Sequence, residues 1–123
     1  MHPADRGLLA LAGIAGALGV GLSAAAAHIA GATSLATAAQ FLLFHAPALL
    51  ALACLAGSGR AHPVVVRAAG FALSLGLALF SGDLAVRAFL QQPLFPMAAP
   101  SGGMVLILGW VLVAGAALGP ARR

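Results

Sequence analysis

The chain has 123 residues, of which 63% are apolar and 7% charged, and its mean hydropathy is +1.10. So few polar side chains cannot cover a soluble globule, which points to an all-α membrane protein. Its formal charge of +4 comes from six arginines set against Asp5 and Asp83. Those arginines stand at the ends of apolar runs, so the partner they predict is the anionic headgroup layer of membrane lipids and not nucleic acid.

A hydrocarbon core of about 30 Å takes about 20 apolar helical residues per crossing. Four such windows fill the sequence and leave no room for a soluble domain. The first is a helix over residues 7–30, behind Arg6. The same run has the layout of a signal peptide, with Leu8 to Leu22 as its apolar core and Ala24, Ala25 and Ala26 as a small-residue cleavage site; its continuation past Ala26 favours a retained helix. Gly13, Ala17, Gly21 and Ala25 recur every four residues, a ridge that lets another helix backbone come close.

Residues 31–34 form a short link in which Ser34 is the expected cap of a second helix, 35–56. That helix carries Gln40, His45 and Pro47, and the proline leaves the Leu43 carbonyl without its helical donor. Residues 57–63 make the most polar loop. The third helix, 64–90, holds Arg67 near its start, a second ridge of Gly70, Ser74, Ala78 and Gly82, and Asp83 and Arg87 near its end. Residues 91–100 contain three prolines and read as an apolar loop along the membrane interface. A fourth helix, 101–119, contains Trp110, read as a packing residue, with Gly115 and Gly119 as further close-approach positions. It ends at Pro120, ahead of Arg122 and Arg123.

Short links make neighbouring helices antiparallel, so the predicted fold is a four-transmembrane-helix antiparallel bundle. Four crossings collect Arg6, Arg60, Arg67, Arg122 and Arg123 on one side and Arg87 on the other. This positive-inside bias puts both termini in the cytoplasm.

At 1.5 Å per residue, the polar side chains of three helices fall in the outer half of the bilayer. The candidate cluster is His28, Gln40, His45, Ser81, Asp83 and Arg87. Ionisable groups at such depth are costly and need partners. Asp83 and Arg87 stand i, i+4 with the acid first, the favourable order for an ion pair. For His45 two readings stand: a hydrogen bond to Asp83, Ser81 or a carbonyl freed by Pro47, or a proton relay with Asp83. A metal site would need His28 as a third ligand, about 15 Å from His45 by helical rise. Cys54 stands alone, so it forms no intrachain disulfide and no CxxC motif. No HExxH, phosphate-loop or GxSxG pattern occurs. The chain is therefore expected to be neither an enzyme nor a cofactor carrier.

Several short pieces in order carry a family resemblance. They are Gly16-Ala17-Leu18-Gly19 and Ala27-His28-Ile29-Ala30, then Thr37-Ala38-Ala39-Gln40-Phe41 and Phe44-His45-Ala46. Leu79-Phe80-Ser81-Gly82, Pro100-Ser101-Gly102-Gly103 and Gly109-Trp110 complete the set. Together they resemble the domain of unknown function 423 family, small four-helix membrane proteins with bacterial inner-membrane members and the eukaryotic transmembrane protein 256. The resemblance implies a multi-pass protein of the bacterial inner membrane, and marks His28, Gln40, His45, Ser81, Gly82, Pro100, Gly103 and Trp110 as family-pattern positions. It implies no reaction. The sequence departs from the pattern at Asp83-Leu84-Ala85, where the family commonly reads Ser-Leu-Tyr.

Two functions follow. One is a structural or accessory membrane protein, packing through its small-residue ridges as a homo-oligomer or within a larger membrane complex. The other is a small transporter or proton-conducting bundle built on His28, His45 and Asp83.

Overall fold

The computed structural model describes residues 1–119 as four helices: α1 (Pro3–Ala27), α2 (Thr33–Ser58), α3 (Pro63–Leu90) and α4 (Ala98–Ala116). No strand occurs among the described residues. All four helices are long and apolar enough to cross a membrane.

The ends shift by up to a turn from the sequence expectation, each for a local reason. α1 starts earlier because Pro3 sits at the first helical position, where an N–H has no acceptor, and His2 Nδ1 accepts the Ala4 N–H at 3.0 Å. It stops at Ala27, and Gly31 turns the chain with a φ of 72°. Ser34 does not cap α2: the helix begins at Thr33, its N-cap is Ala32, and no side chain caps it. α4 begins at Ala98, which shortens the predicted loop 91–100 to 91–97. Pro100 fits inside because the first-turn N–H groups have no intrahelical partner to lose. The helix ends at Ala116, leaving Gly119 beyond it; Arg122 and Arg123 lie outside the described residues.

α2 is central, with α1 along one side and α3 along the other, while α4 packs on α3 alone at the backbone level. The buried stripe of α2 is Leu35, Ala38, Leu42, His45, Leu49, Leu52 and Ala56, alternating three and four residues apart. α1 buries Asp5, Leu8, Ala12, Ala15 and Gly19 on the same alternation. A 3.5-residue repeat keeps one seam facing a partner over several turns, as in coiled coils.

This places the two predicted ridges differently from the expectation. Gly13 lies one residue, and Ala17 and Gly21 two residues, from the nearest position of the α1 seam, about 100° and 200° round the helix. They are exposed, and open space surrounds Gly13 and Gly21, so no helix of this chain packs on them. Gly70 does pack: a Cβ there would lie 2.7 Å from the Leu8 side chain, and Leu8 is fully buried. Ser74 is half-buried and donates to the Gly70 carbonyl at 2.9 Å, whereas Ala78 is exposed and Gly82 has open space around it. Gly115 also meets nothing, and Gly119 lies near His62.

The closest crossing uses glycines outside either ridge. A Cβ on Gly102 would stand 2.5 Å from the Phe80 nitrogen and 2.8 Å from the Gly76 carbonyl oxygen; one on Gly76 would stand 2.8 Å from the Leu106 nitrogen. Gly109 continues the contact against Leu73. α3 and α4 therefore meet backbone to backbone. In lipid this matters more than apolar burial, because hydrocarbon outside the protein is as apolar as leucine inside and tight contact drives association.

Candidate functional site: a cleft between α2 and α4 and the polar ties around it

Because α4 is drawn against α3 by glycines, it stands apart from α2 and leaves a cleft of about 470 Å³ with α3 as its floor. Phe41 and His45 line it from α2, Phe80 from α3, and Gly103, Ile107 and Trp110 from α4. Phe41 and Phe80 touch with ring centroids 4.4 Å apart.

His45 sits in the middle of α2 and is 5% exposed. Its Nδ1 lies 2.7 Å from the Phe41 carbonyl oxygen, and its Nε2 lies 3.1 Å from Trp110 Nε1. An indole N–H can only donate, so Nε2 is the acceptor and Nδ1 carries the proton that goes to Phe41. The ring is thus neutral, fixed in one tautomer, and bonded at both nitrogens. It provides the hydrogen bond that ties α2 to α4.

The other expected site residues do not join it. Ser81 is buried and donates to the Ala38 carbonyl at 3.0 Å, tying α3 to α2. Asp83 is fully buried; it accepts from Arg87 Nε at 2.8 Å and from the Leu94 backbone N–H at 2.7 Å. The i, i+4 pair is therefore formed as expected, and it also anchors the 91–97 loop. Arg87 stays about half exposed, beside a second cavity of about 260 Å³ with Ser34 and Gln91 on its wall. His28 is the exposed C-cap of α1, its backbone N–H reaching Ala25, and Gln40 points out of the helix stack. His45 shares no hydrogen bond with Asp83 or Ser81. Among the described residues no three His, Cys, Asp or Glu side chains converge as a metal site would need.

Two ties escaped the sequence reading. The sequence marks Trp110 for packing alone, because a donor one helix beyond the nearest neighbour leaves no local signal. Asp5 and Arg67 form a bidentate pair, Nε to Oδ1 at 2.8 Å and a terminal guanidinium nitrogen to Oδ2 at 3.0 Å. Asp5 is 2% exposed and Arg67 19%. That pair was legible in principle, since an acid and a base stood at the starts of two helices assigned to the same membrane side.

The model of a family described as "Protein of unknown function (DUF423)" matches residues 8–103. The chain belongs to this family. The matched stretch takes in α1 from Leu8 through the Gly102–Gly103 start of α4. It includes His45, Ser81 and the Gly76–Gly102 crossing, and it stops before Trp110. No solved structure matches this member of the DUF423 family.

Proposed function

We propose that this DUF423 protein is a structural or accessory component of the bacterial inner membrane, with no reaction of its own. It packs there with copies of itself or within a larger membrane complex. In this reading it is a multi-pass antiparallel bundle with both termini on the cytoplasmic side. Contacts that run in opposite senses support the antiparallel arrangement. Asp5 lies near Gly57 and Gly19 near Leu43, while Gly102 lies against Phe80 and Gly119 near His62. Arg6, Arg60 and Arg67 at one end support the orientation.

The observation that carries the accessory reading is how the polar groups are used. Every buried side-chain polar atom among the described residues has a partner inside the chain, and the bonds of Asp5, His45, Ser81 and Asp83 each hold one element to another. Groups committed in this way act as fasteners. A conducting path built on His28, His45 and Asp83 has less support, because His28 is exposed at a helix end and the other two answer to separate partners.

The test is assembly. Gly13→Leu with Gly21→Leu adds bulk to the exposed ridge of α1 where nothing in the chain stands in the way. Native mass spectrometry of protein released gently from its own membranes should show a homo-oligomer or a stoichiometric complex for the natural sequence, and its loss in the double variant. A monomer in both cases contradicts the reading. For the conducting alternative, proteoliposomes should show no difference in proton flux between the natural protein and His45→Ala; a clear difference would reverse the ranking.

A further inference from the structure

We infer that the cleft between α2 and α4 holds one acyl chain of a bilayer lipid. The inference goes beyond the accessory role and rests only on the membrane-crossing reading of the four helices. Three observations carry it. First, the cleft has the dimensions of a chain: its α4 wall runs along one face from Pro100 through Gly103 and Ile107 to Trp110. The ten residue steps from Pro100 to Trp110 span about 15 Å at 1.5 Å per residue, half of a hydrocarbon core of about 30 Å. The wall begins in the first turn of α4, where the helix enters the membrane, and ends at Trp110, about two-thirds of the way along it.

Second, the lining side chains are hydrocarbon apart from the apolar thioether of Met104 and from His45 and Trp110, whose polar atoms are bonded to each other and to the Phe41 carbonyl. No charged side chain and no free donor or acceptor faces the space, so the occupant is an uncharged hydrocarbon and its headgroup stays at the mouth. A peptide backbone or a polar solute would leave its own groups unpaired there. Third, the cleft is concave. A chain lying in it touches α2, α3 and α4 together, while a chain on a convex helix surface touches one, and dispersion contacts add with each atom in reach. The outer face of α4 is such a convex surface. Its Leu108 and Leu112, each two residues from Trp110 and so about 200° round the helix from it, are 59% and 36% exposed, against 63% for Met104 and 60% for Ile107 on the cleft side, so exposure alone would treat Leu108 and the cleft residues alike.

The full-length protein is reconstituted in phosphatidylcholine bilayers containing a small fraction of a phosphatidylcholine whose acyl chain carries a diazirine. After photolysis, lipid adducts are mapped by peptide mass spectrometry. Adducts concentrate on Phe41, Met104 and Ile107, several-fold above Leu108 and Leu112. Gly103→Leu fills the cleft; a Cβ there has only the Phe80 ring edge, at 3.9 Å, within reach, so the helices can keep their places. In that variant the cleft adducts fall to the level of the outer face. Helical content and the thermal unfolding midpoint, read by far-ultraviolet circular dichroism, serve as the folding control. Equal yields on both faces of α4 in the natural protein would overturn the inference while leaving the membrane-crossing reading intact. Cleft yields below those of the outer face, together with a disulfide-linked dimer of a Met104→Cys variant (with Cys54→Ser) when an oxidant is added, would overturn it in favour of a second copy of the chain.

Discussion

Single atoms decide most of what holds this protein together. The Trp110 N–H is the clearest case, since one hydrogen bond to His45 Nε2 ties α4 to α2. Interhelical hydrogen bonds in membranes average about 0.6 kcal/mol and reach about 1.7. Trp110→Phe should therefore cost on the order of 1 kcal/mol in reversible unfolding from mixed micelles, and the loss should be non-additive with His45→Leu in a double-mutant cycle. The Gly102 hydrogen is a stronger constraint. A methyl group there meets the Phe80 nitrogen and the Gly76 oxygen, which are backbone atoms that cannot rotate away. Gly102→Ala is expected to destabilise by roughly 1–3 kcal/mol, the usual range for overpacking. Gly103→Ala next to it should stay within about 0.5 kcal/mol of the natural protein, as ordinary surface changes do. Equal effects at the two positions in the same unfolding assay would show that the crossing is not as tight as described. Asp5→Asn should destabilise the protein by weakening the hold of α1 on Arg67, and exchanging the pair (Asp5→Arg with Arg67→Asp) should recover part of the loss.

Each helix shows how little its own sequence says about which way it faces. α1 offers two candidate seams, Gly13–Ala17–Gly21 and Ala12–Ala15–Gly19, offset by one or two residues, and both are made of small residues. The second is the buried one, because there a Cβ on Gly19 would lie 2.8 Å from the Leu43 side chain, while Gly13 and Gly21 meet nothing. Gly19→Leu should accordingly separate α1 from α2 and lower the unfolding midpoint, whereas Gly13→Leu with Gly21→Leu should leave the stability of the monomer unchanged and act only on assembly. Thermal unfolding in detergent, read alongside oligomeric state, separates the two effects. α4 shows the same ambiguity in another form. Its apolar residues surround it on every side, so only the glycines at 102 and 109 mark the face that meets α3.

On the scale of the whole molecule, the arginines and the packing bear on the same question from different directions. Arg6, Arg60 and Arg67 gather at the end that holds the Asp5–Arg67 pair, and Arg87 stands with the 91–97 loop at the other. With Cys54 replaced by Ser, single cysteines at position 2 or 60 should react with a membrane-impermeant maleimide only after the bilayer is opened. A cysteine at position 31 or 95 should react in intact cells. The reverse pattern would invert the orientation proposed above. The open arrangement, with α4 leaning on α3 and reaching α2 through one side chain, also makes the cleft a consequence of the fold and not of any single residue.

The number of helices, their approximate ends and the membrane setting were determined by the sequence itself, because they depend on local quantities. Those are the length of apolar runs, the fit of proline to a first turn, and the readiness of glycine to take a positive φ at residues 31 and 59. The Asp83–Arg87 pair was legible for the same reason, being four residues apart on one helix. Only the tertiary structure decided which small residues are seams, that His45 answers to Trp110 and not to Asp83, and that four of the six polar candidates divide among separate ties while His28 and Gln40 stand exposed. In a soluble protein the contrast between an apolar core and a polar surface would have marked the inner face of each helix. Here lipid makes the outer face apolar as well, so the periodic signal is flat, and the inner face is set by which surfaces fit closely enough to touch.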